Sequence, residues 1–595
     1  MIPYEVQAYF FLILIAVTLV LIFKEVVRPS VGFLLAVVVL LIFGIILPED
    51  LLAGFSNDKI ASIMLLILIT SAIRKNFRLE LLFDNLFGGT KKYKVFLIRM
   101  MGQVAILSSF INNTPVVALM SPYVVEWGKK NKISSSKLLI PLSYAAIMGG
   151  MLTIIGTSTT LLLNGFLDEF SIAGLNPFDL LFVGAGSTLV GVLFIAIIAP
   201  FLLPDRKDLV EEFEKNTREY IIETHIAGDS HLVGKSVKEG GLRNLKGVYL
   251  VEIIRNKEVI YPVSPDNKIE ANDKLFFAGS TEQIVELVNS DLGLILPPKI
   301  TDIQSVESQD IVECVLAENS TLTGKTIKQS DFRHRYDAAV VAIHRAGERL
   351  TGRIGDLKLR PGDLLLLYAG HDFSERVDLY RDLYVISSIP KSVGSNRTRF
   401  IALSLIVVSI ITLLTVGNFS LFSSLLVILA IMVGFKLITL REIKRELDLD
   451  LIGILVFSLV LGEGMLKTGT GIFLSEGLMG LLGGFGPLVL LSGIMLFTMM
   501  LTSFINNAAA VSIAFPVTYS LIQTLNMDGS PFYLGIAFAA SGSFMTPFGY
   551  QTNLIIFGPG GYKISDFIKI GLPITIVYFI SCLLLILVLY REVLV

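Results

Sequence analysis

Apolar and polar positions fall in blocks along this chain rather than alternating within them. Apolar runs approaching the roughly 20 residues needed to span a bilayer occur at 8–23, 31–47 and 59–73, separated by polar stretches at 24–30 and 48–59. A mixed, basic segment at 74–94 follows. Two apolar stretches interrupted by polar residues come next, at 95–126 and 137–167, and then a clean run at 178–203. At Pro204 the pattern changes. From Asp205 to about Thr398 the chain is charged, with short apolar runs, and all five histidines lie there (His225, His231, His334, His344, His371). From Arg399 the apolar blocks resume at 400–416, 420–436 and 449–466, an interrupted 487–520, 531–557 and 566–590. This pattern predicts a polytopic α-helical membrane protein with one membrane half at 1–204, a soluble insert, and a second membrane half at 398–595.

The two halves repeat one stretch. SSFINNTPVVALMSP at 108–122 returns as TSFINNAAAVSIAFP at 502–516 with a constant offset of 394, which pairs Asn112-Asn113 with Asn506-Asn507 and Pro122 with Pro516. Downstream, TIIGTSTT at 153–160 matches TPFGYQTN at 546–553 and pairs Gly156 with Gly549. Arg74 likewise matches Lys467. Two adjacent amides cost free energy in an apolar setting unless they find partners. Asparagines that merely join transmembrane helices would explain one pair, but not a matched duplicate. Interrupted apolar segments in matching positions of two halves point to a polar site at the repeat interface.

Composition agrees with this reading. Of 595 residues, 53% are hydrophobic and 17% charged, against about 25% charged in soluble domains. The net charge of −2 gives no hint of nucleic acid. Cys314 and Cys582 form neither a disulfide framework nor a metal spacing. The N-terminal apolar run has no basic n-region or cleavage site and reads as a first transmembrane helix. The insert is itself duplicated: 232–279 matches 322–370, with Gly234-Lys235 and Gly324-Lys325 in register. Its short strands and Asn-Asp and Pro-Gly-Asp turns predict small α+β modules. The upstream glycine of a phosphate-binding GxxxxGK[ST] loop is missing, so an ATP-binding P-loop is rejected.

These motifs carry a resemblance. SSFINNT, TSFINNA and the downstream Gly-Thr and Gly-Tyr breaks resemble the divalent anion:sodium symporter family of the ion-transporter superfamily. The insert resembles two tandem RCK C-terminal (TrkA-C) modules, at 215–295 and 305–385. Tandem copies in this position look like a subgroup associated with sulfate uptake. The resemblance implies two inverted repeats, each with a re-entrant hairpin and a broken helix, an elevator-type movement and a homodimer in the cell (plasma or inner) membrane with the insert cytoplasmic. The family's Ser-Asn-Thr hairpin tip reads Asn112-Asn113-Thr114 here in the first copy and Asn506-Asn507-Ala508 in the second. Fewer hydroxyls at the tip favour a small tetrahedral anion over a dicarboxylate.

Neither motif contains Lys or Arg, so attraction for an anion has to come from amide N–H groups, hydroxyls, the positive ends of broken helices and bound Na⁺. Asparagine offers an acceptor for the cation and donors for the anion. By motif position one Na⁺ is expected at Ser108, Asn112, Asn113 and Gly156, and a second at Thr502, Asn506, Asn507 and Gly549. The anion, inorganic or small organic, is expected between them at Asn113, Thr114, Asn507, Thr157 and Thr552. Ser109 and Ser503 are either supporting or packing residues. Glu463 and Lys467, four apart on one helical face, read as an ion pair, with a proton-coupling role as the alternative. Arg99 reads as snorkelling to the interface, and Trp127, the one tryptophan, as an interfacial anchor. The insert either senses a small molecule such as a nucleotide or serves as a dimerisation platform. Its basic groups at Arg333, His334, Arg335, His344 and Arg345 read as a solvated face or an anion site. Competing functions fare worse: no selectivity-filter stretch supports a channel, and no nucleophile–base constellation or metal cluster supports an enzyme.

Overall fold

The computed structural model describes residues 4–23, 27, 29–76, 92–206, 221–242, 245, 248–255, 258–260, 263–279, 294–295, 311–318, 320–350, 354–370, 372–380, 382–386, 420–447 and 449–595. The expected run at 400–416, the segment 77–91 and His371 lie outside the described residues.

The first half begins with helices α1 (Tyr4–Phe23), α2 (Pro29–Ile42), α3 (Pro48–Ser56) and α4 (Asp58–Asn76). It continues with α5 (Tyr93–Ser108), α6 (Asn113–Asn131), α7 (Leu139–Gly150), α8 (Ser158–Glu169) and α9 (Pro177–Leu202). The insert carries strands β1 (Ile221–Ile226), β2 (Val248–Arg255), β3 (Glu258–Ile260), β4 (Lys274–Gly279) and β5 (Leu294–Ile295). Its second sheet is β6 (Ile311–Leu316), β7 (Ala338–Arg345), β8 (Glu348–Arg349), β9 (Leu364–Ala369) and β10 (Leu383–Val385), with helices α10 (Phe332–Tyr336) and α11 (Phe373–Tyr380). The second half comprises α12 (Leu421–Gly434), α13 (Leu440–Glu446), α14 (Leu449–Lys467), α15 (Thr470–Leu482), α16 (Pro487–Phe504), α17 (Asn507–Leu525), α18 (Ser530–Ser541), α19 (Gln551–Phe557), α20 (Ile564–Leu589) and α21 (Arg591–Leu594).

The halves match element by element. The pairs α2/α12, α6/α17, α7/α18 and α9/α20 have equal lengths of 14, 19, 12 and 26 residues. Packing partners exchange across the halves: α2 lies on α14 and α12 on α4, α6 meets α19 and α17 meets α8, and α9 packs on its own counterpart α20. Helices α6 and α17 begin alike, with Asn112 and Asn506 as N-caps, and each contains a proline, Pro122 or Pro516. Each also ends on a left-handed residue, Lys132 (φ 56°) or Asn526 (φ 49°). The whole of α7 is buried, as is Pro531–Ser541 of α18. A helix buried on all sides has no amphipathic stripe, which is why both were legible only as apolar blocks. Among the described residues, five helical stretches are long and apolar enough to cross a membrane, including Pro177–Leu202 and Ile564–Leu589.

Three expectations gain detail. Lys467 lies 3.4 Å from Glu463 and 2.5 Å from Asp50, so the pair is a triad joining α3 to α14. Trp127 stacks on Phe96 with centroids 3.5 Å apart and 5° between planes, pinning α6 to α5. Arg99 sits on the exposed face of α5. Helix α15 lies in a stretch where the sequence pattern marked no span, because its 13 residues are too few and include Ser475, Glu476 and Gly477.

The insert folds as two sheets of the same topology, β3-β2-β4-β1-β5 and, in mirror listing, β8-β7-β9-β6-β10. The registers of β1/β4 and β2/β4 recur in β6/β9 and β7/β9 at an offset of 90, so that Ile221 pairs with Ala278 and Ile311 with Tyr368, whereas β1/β5 is one residue out of step with β6/β10. The irregularity at Leu250/Glu252 recurs at Val340/Ala342. Each module holds a buried aspartate against an arginine, Arg255–Asp273 at 2.8 Å and Arg345–Asp363 at 2.7 Å. The basic groups read as a solvated face or an anion site are committed elsewhere. Arg333 donates to the Val263 and Leu250 carbonyls of the first module, Arg335 pairs with Asp382 at 2.8 Å, and His344 is buried. Of the five, His334 stays exposed, 3.9 Å from Asp331. The second module docks on the membrane part. Lys563 pairs with Glu348 at 2.8 Å, and a Cβ on Gly558, just past α19, would stand 2.8 Å from the Leu364 Cβ.

Burial, and secondarily the charge of Arg349 opposite it, lower the His344 imidazole from 6.5 to about 4. An unfolded chain therefore takes up this proton below pH ~6.5 while the folded module refuses it until ~4. The second module should lose about 3 kcal/mol of stability as pH falls through that window and none from this source above it. Amide exchange of β7 and β9 in the full-length protein, corrected for intrinsic rates, checks this: protection should fall between pH 7 and 4.5, and fall less in His344→Leu.

Candidate functional site

In each half the chain breaks twice within buried helical structure: at 109–112 and 151–157 in the first, and at 505–506 and 542–550 in the second. A break frees backbone donors and acceptors that have to be satisfied locally, and one threonine does this in each half. Thr153 donates its hydroxyl to the Ser109 carbonyl and accepts from the Gly156 N–H at 3.2 Å. Thr546 donates to the Ser503 carbonyl at 3.2 Å and accepts from the Gly549 N–H at 3.1 Å. These stitches bring the glycine of each broken helix onto the end of the preceding hairpin helix. A Cβ at Gly156 would lie 3.0 Å from the Ser108 carbonyl oxygen, and one at Gly549 would lie 2.9 Å from that of Thr502. The Ser109 and Ser503 hydroxyls bond within their own helices, to the Ile106 and Met499 carbonyls at 2.7 and 2.8 Å.

The first cluster therefore assembles Ser108, Asn113 and Gly156. Ser108 Oγ donates to Asn113 Oδ1 at 2.5 Å, and Asn113 Nδ2 donates across to the Tyr550 hydroxyl of the other half at 2.6 Å. Gly150 supports the same amide from a third side: a Cβ there would stand 2.4 Å from Asn113 Oδ1. Asn112 is turned the other way and caps α6 through the Thr114 N–H at 3.4 Å. Thr114 Oγ1 donates to Gln551 Oε1 at 3.1 Å.

The second cluster gathers Thr502, Asn507 and Gly549, while Asn506 caps α17 through Ala509 N–H at 2.8 Å. The inward terminal atom of the Asn507 amide lies 2.7 Å from Thr502 Oγ1, 3.2 Å from the Ala540 carbonyl and 3.3 Å from the Gly549 carbonyl. Thr502 Oγ1 itself donates to the Ala540 carbonyl at 2.7 Å. With the amide nitrogen inward, these oxygens are satisfied by N–H donors. With the oxygen inward, four oxygens converge, which is the donor set of a small hard cation. Oxygen and nitrogen of an amide are told apart by their neighbours, and the surrounding oxygens favour the nitrogen inward. Among the described residues no cluster of His, Cys, Asp or Glu suits a metal ion, so any cation held here is held by neutral oxygens.

The remaining expected site residues are placed as follows. Thr157 caps α8 through the Thr159 N–H at 3.3 Å and hydrogen-bonds with Tyr550. Thr552 is fully buried beside Ser143, 2.9 Å from its Oγ. Asn553 Nδ2 donates to the Ser543 and Thr546 carbonyls, both at 3.1 Å, and holds the second break in shape. Sequence reasoning passed over Tyr550, Gln551, Ser143, Ser543, Asn553 and the Ala540 carbonyl. Tyr550 and Gln551 sat in view, as the counterparts of Thr157 and Ser158, but their partners lie 437 residues away in the chain.

Residues 18–427 and 411–595 match the family described as Citrate transporter. Among similar chains, an uncharacterized transporter, sll0640, of Synechocystis sp. is 31% identical over 578 residues, which cover 94% of this chain and 93% of that protein. Sodium/sulfate cotransporter 1 of Chlamydomonas reinhardtii is 30% identical over 339 residues, 53% of this chain and 38% of its own. The sodium-dependent dicarboxylate transporter SdcS of Staphylococcus saprophyticus is 27% identical over 149 residues, 25% of this chain and 28% of its own.

Gly150 and Gly102 offer a paired test of the first cluster. Gly150→Ala forces the Asn113 amide out of place and should reduce transport at least tenfold with the protein still in the membrane. Gly102→Ala, where no atom lies within 4 Å of the new Cβ, should transport normally. Equal transport by both variants would show that the Asn113 geometry is immaterial.

Proposed function

Because this chain belongs to the citrate transporter family, it is a membrane transporter rather than an enzyme, and we propose that it is a Na⁺-coupled symporter of a divalent anion, sulfate first. The observation that carries this reading is the pair of polar clusters, each built from neutral oxygens and amides at a helix break and neither containing a basic side chain. A divalent anion brought into such a site needs compensating positive charge. The N-terminal ends of α6, α17 and α8 supply part of it, and two sodium ions supply the rest when bound. Ser108, Asn113 and Gly156 would hold one ion, and Thr502, Asn507, Gly549 and the Ala540 carbonyl the other. Asn112 and Asn506 would contribute as the caps that fix the hairpin tips. Asn113, Thr114, Asn507, Thr157 and Thr552 remain the proposed anion contacts, with Thr114 and Thr157 nearest the meeting of the halves.

Matched halves with exchanged packing partners support an inverted-repeat reading, in which the hairpins and broken helices move as a unit in an elevator-type cycle within a homodimer. The shared topology of the two insert modules supports the resemblance to tandem RCK C-terminal domains, cytoplasmic and regulatory. The name of the Chlamydomonas relative favours sulfate, and that of the Staphylococcus relative favours a dicarboxylate as the second reading. Proton coupling through Glu463 is disfavoured by its contact with Lys467, which Asp50 also engages.

Labelled sulfate uptake into proteoliposomes, with and without an inward Na⁺ gradient, tests the proposal. Uptake should require Na⁺ and be competed by molybdate more than by succinate, citrate or phosphate. Asn113→Ala and Asn507→Ala should each abolish it with normal membrane insertion. Uptake undiminished in Na⁺-free buffer would rule out sodium coupling, and stronger competition by succinate would reassign the substrate. Deleting the insert should alter the rate or its regulation without preventing membrane insertion.

A further inference from the structure

The two clusters correspond residue by residue except in what holds their asparagines. Tyr550 stands in the second half where Thr157 stands in the first. Its hydroxyl is the junction of three helix starts: its own at α19, that of α6 through Asn113, and that of α8 through Thr157. Thr157 gives its one hydroxyl proton to Thr159 Oγ1 at 3.2 Å and accepts from the Thr159 N–H. The Tyr550 oxygen accepts from Asn113 Nδ2, at 2.6 Å, and the Asn113 oxygen faces Ser108, which donates to it at 2.5 Å. Gly150, which braces the Asn113 amide, is replaced in the second half by Ser543, whose hydroxyl lies toward the Thr502 carbonyl at 3.3 Å.

We propose that Tyr550 is a positioning residue that locks the Asn113 amide oxygen toward Ser108 and so presets the first cation site. This rests on the sodium-coupled reading above. Groups that orient a ligating side chain commonly change metal affinity by about 10–100-fold when removed, and an amide already in place loses less freedom on binding.

The test is Tyr550→Phe, which keeps the ring and removes the oxygen. Two readouts are taken: the Na⁺ concentration that half-saturates sulfate uptake, and the Na⁺ concentration that half-saturates the rise in melting temperature of purified protein without anion. Both should move up about tenfold, with the melting temperature in Na⁺-free buffer and the maximal uptake rate changed little. Because Tyr550 acts through Asn113, the double variant Asn113→Ala/Tyr550→Phe should show no weaker Na⁺-dependent stabilisation than Asn113→Ala alone. Unchanged Na⁺ curves in Tyr550→Phe overturn the proposal while leaving sodium coupling intact. A wild-type protein with no Na⁺ dependence in either readout overturns the parent reading, and this one with it. If Tyr550→Phe does not reach the membrane, Thr157→Val removes a hydroxyl beside the phenol, and because Thr157 is itself a proposed anion contact the melting-temperature readout without anion is used; it should shift in the same direction, and no shift there also overturns the proposal.

Discussion

An unpartnered amide or carbonyl inside an apolar interior costs several kcal/mol, because no water is there to take its place. The membrane part of this protein is arranged around that cost. Four breaks in buried helices release backbone groups and present two asparagine pairs. The first asparagine of each pair closes the helix that follows, and the second faces inward. Thr153 and Thr546 fasten each break to the hairpin before it, and Asn553 pins the second break from within. The glycines at 150, 156 and 549 are there because the backbone and amides they touch leave no room for a Cβ. The positions open to a cation or anion are those left over once the backbone has been satisfied.

Duplication gives the two halves the same solution, and a few departures from it set the two clusters apart. Thr114 reaches Gln551 across the halves, and its counterpart Ala508 cannot. Tyr550 and Ser543 replace Thr157 and Gly150. Thr114 and Ser543 carry a hydroxyl that Ala508 and Gly150 lack, and Tyr550 carries at the end of a ring the hydroxyl that Thr157 carries on its Cβ, so the two clusters differ in the polar groups they hold.

The insert obeys the same economy in a different solvent. Each buried aspartate of the modules is answered by an arginine, Asp273 by Arg255, Asp363 by Arg345 and Asp382 by Arg335, and Arg333 binds the modules together through two carbonyls of the first. The second module meets the membrane part just beyond α19, the short helix whose first turn carries Gln551 and whose N-cap is Tyr550. The same few residues therefore lie between the docked sheet and the Asn113 amide.

Much of this was legible from the sequence, because it depends on local composition and register. Apolar blocks of bilayer length, the charged insert, the Asn-Asn hairpins and the Gly breaks at constant offset all follow from residues near one another in the chain. So does the choice of Ser108, Asn113, Thr502 and Asn507, the polar residues that had to be satisfied in apolar surroundings. What the sequence could not decide was the partner of each. Tyr550 with Asn113, Lys467 with Asp50 and Arg333 with the Leu250 carbonyl are contacts between distant segments, set by how helices cross and sheets pack rather than by any spacing along the chain. Helix α15 was hidden because 13 residues containing Ser, Glu and Gly fall short of a spanning signal. The stretch that repeats thus announced a polar site, but only the tertiary structure, by bringing a phenol to one asparagine and a ring of oxygens to the other, made its two copies different.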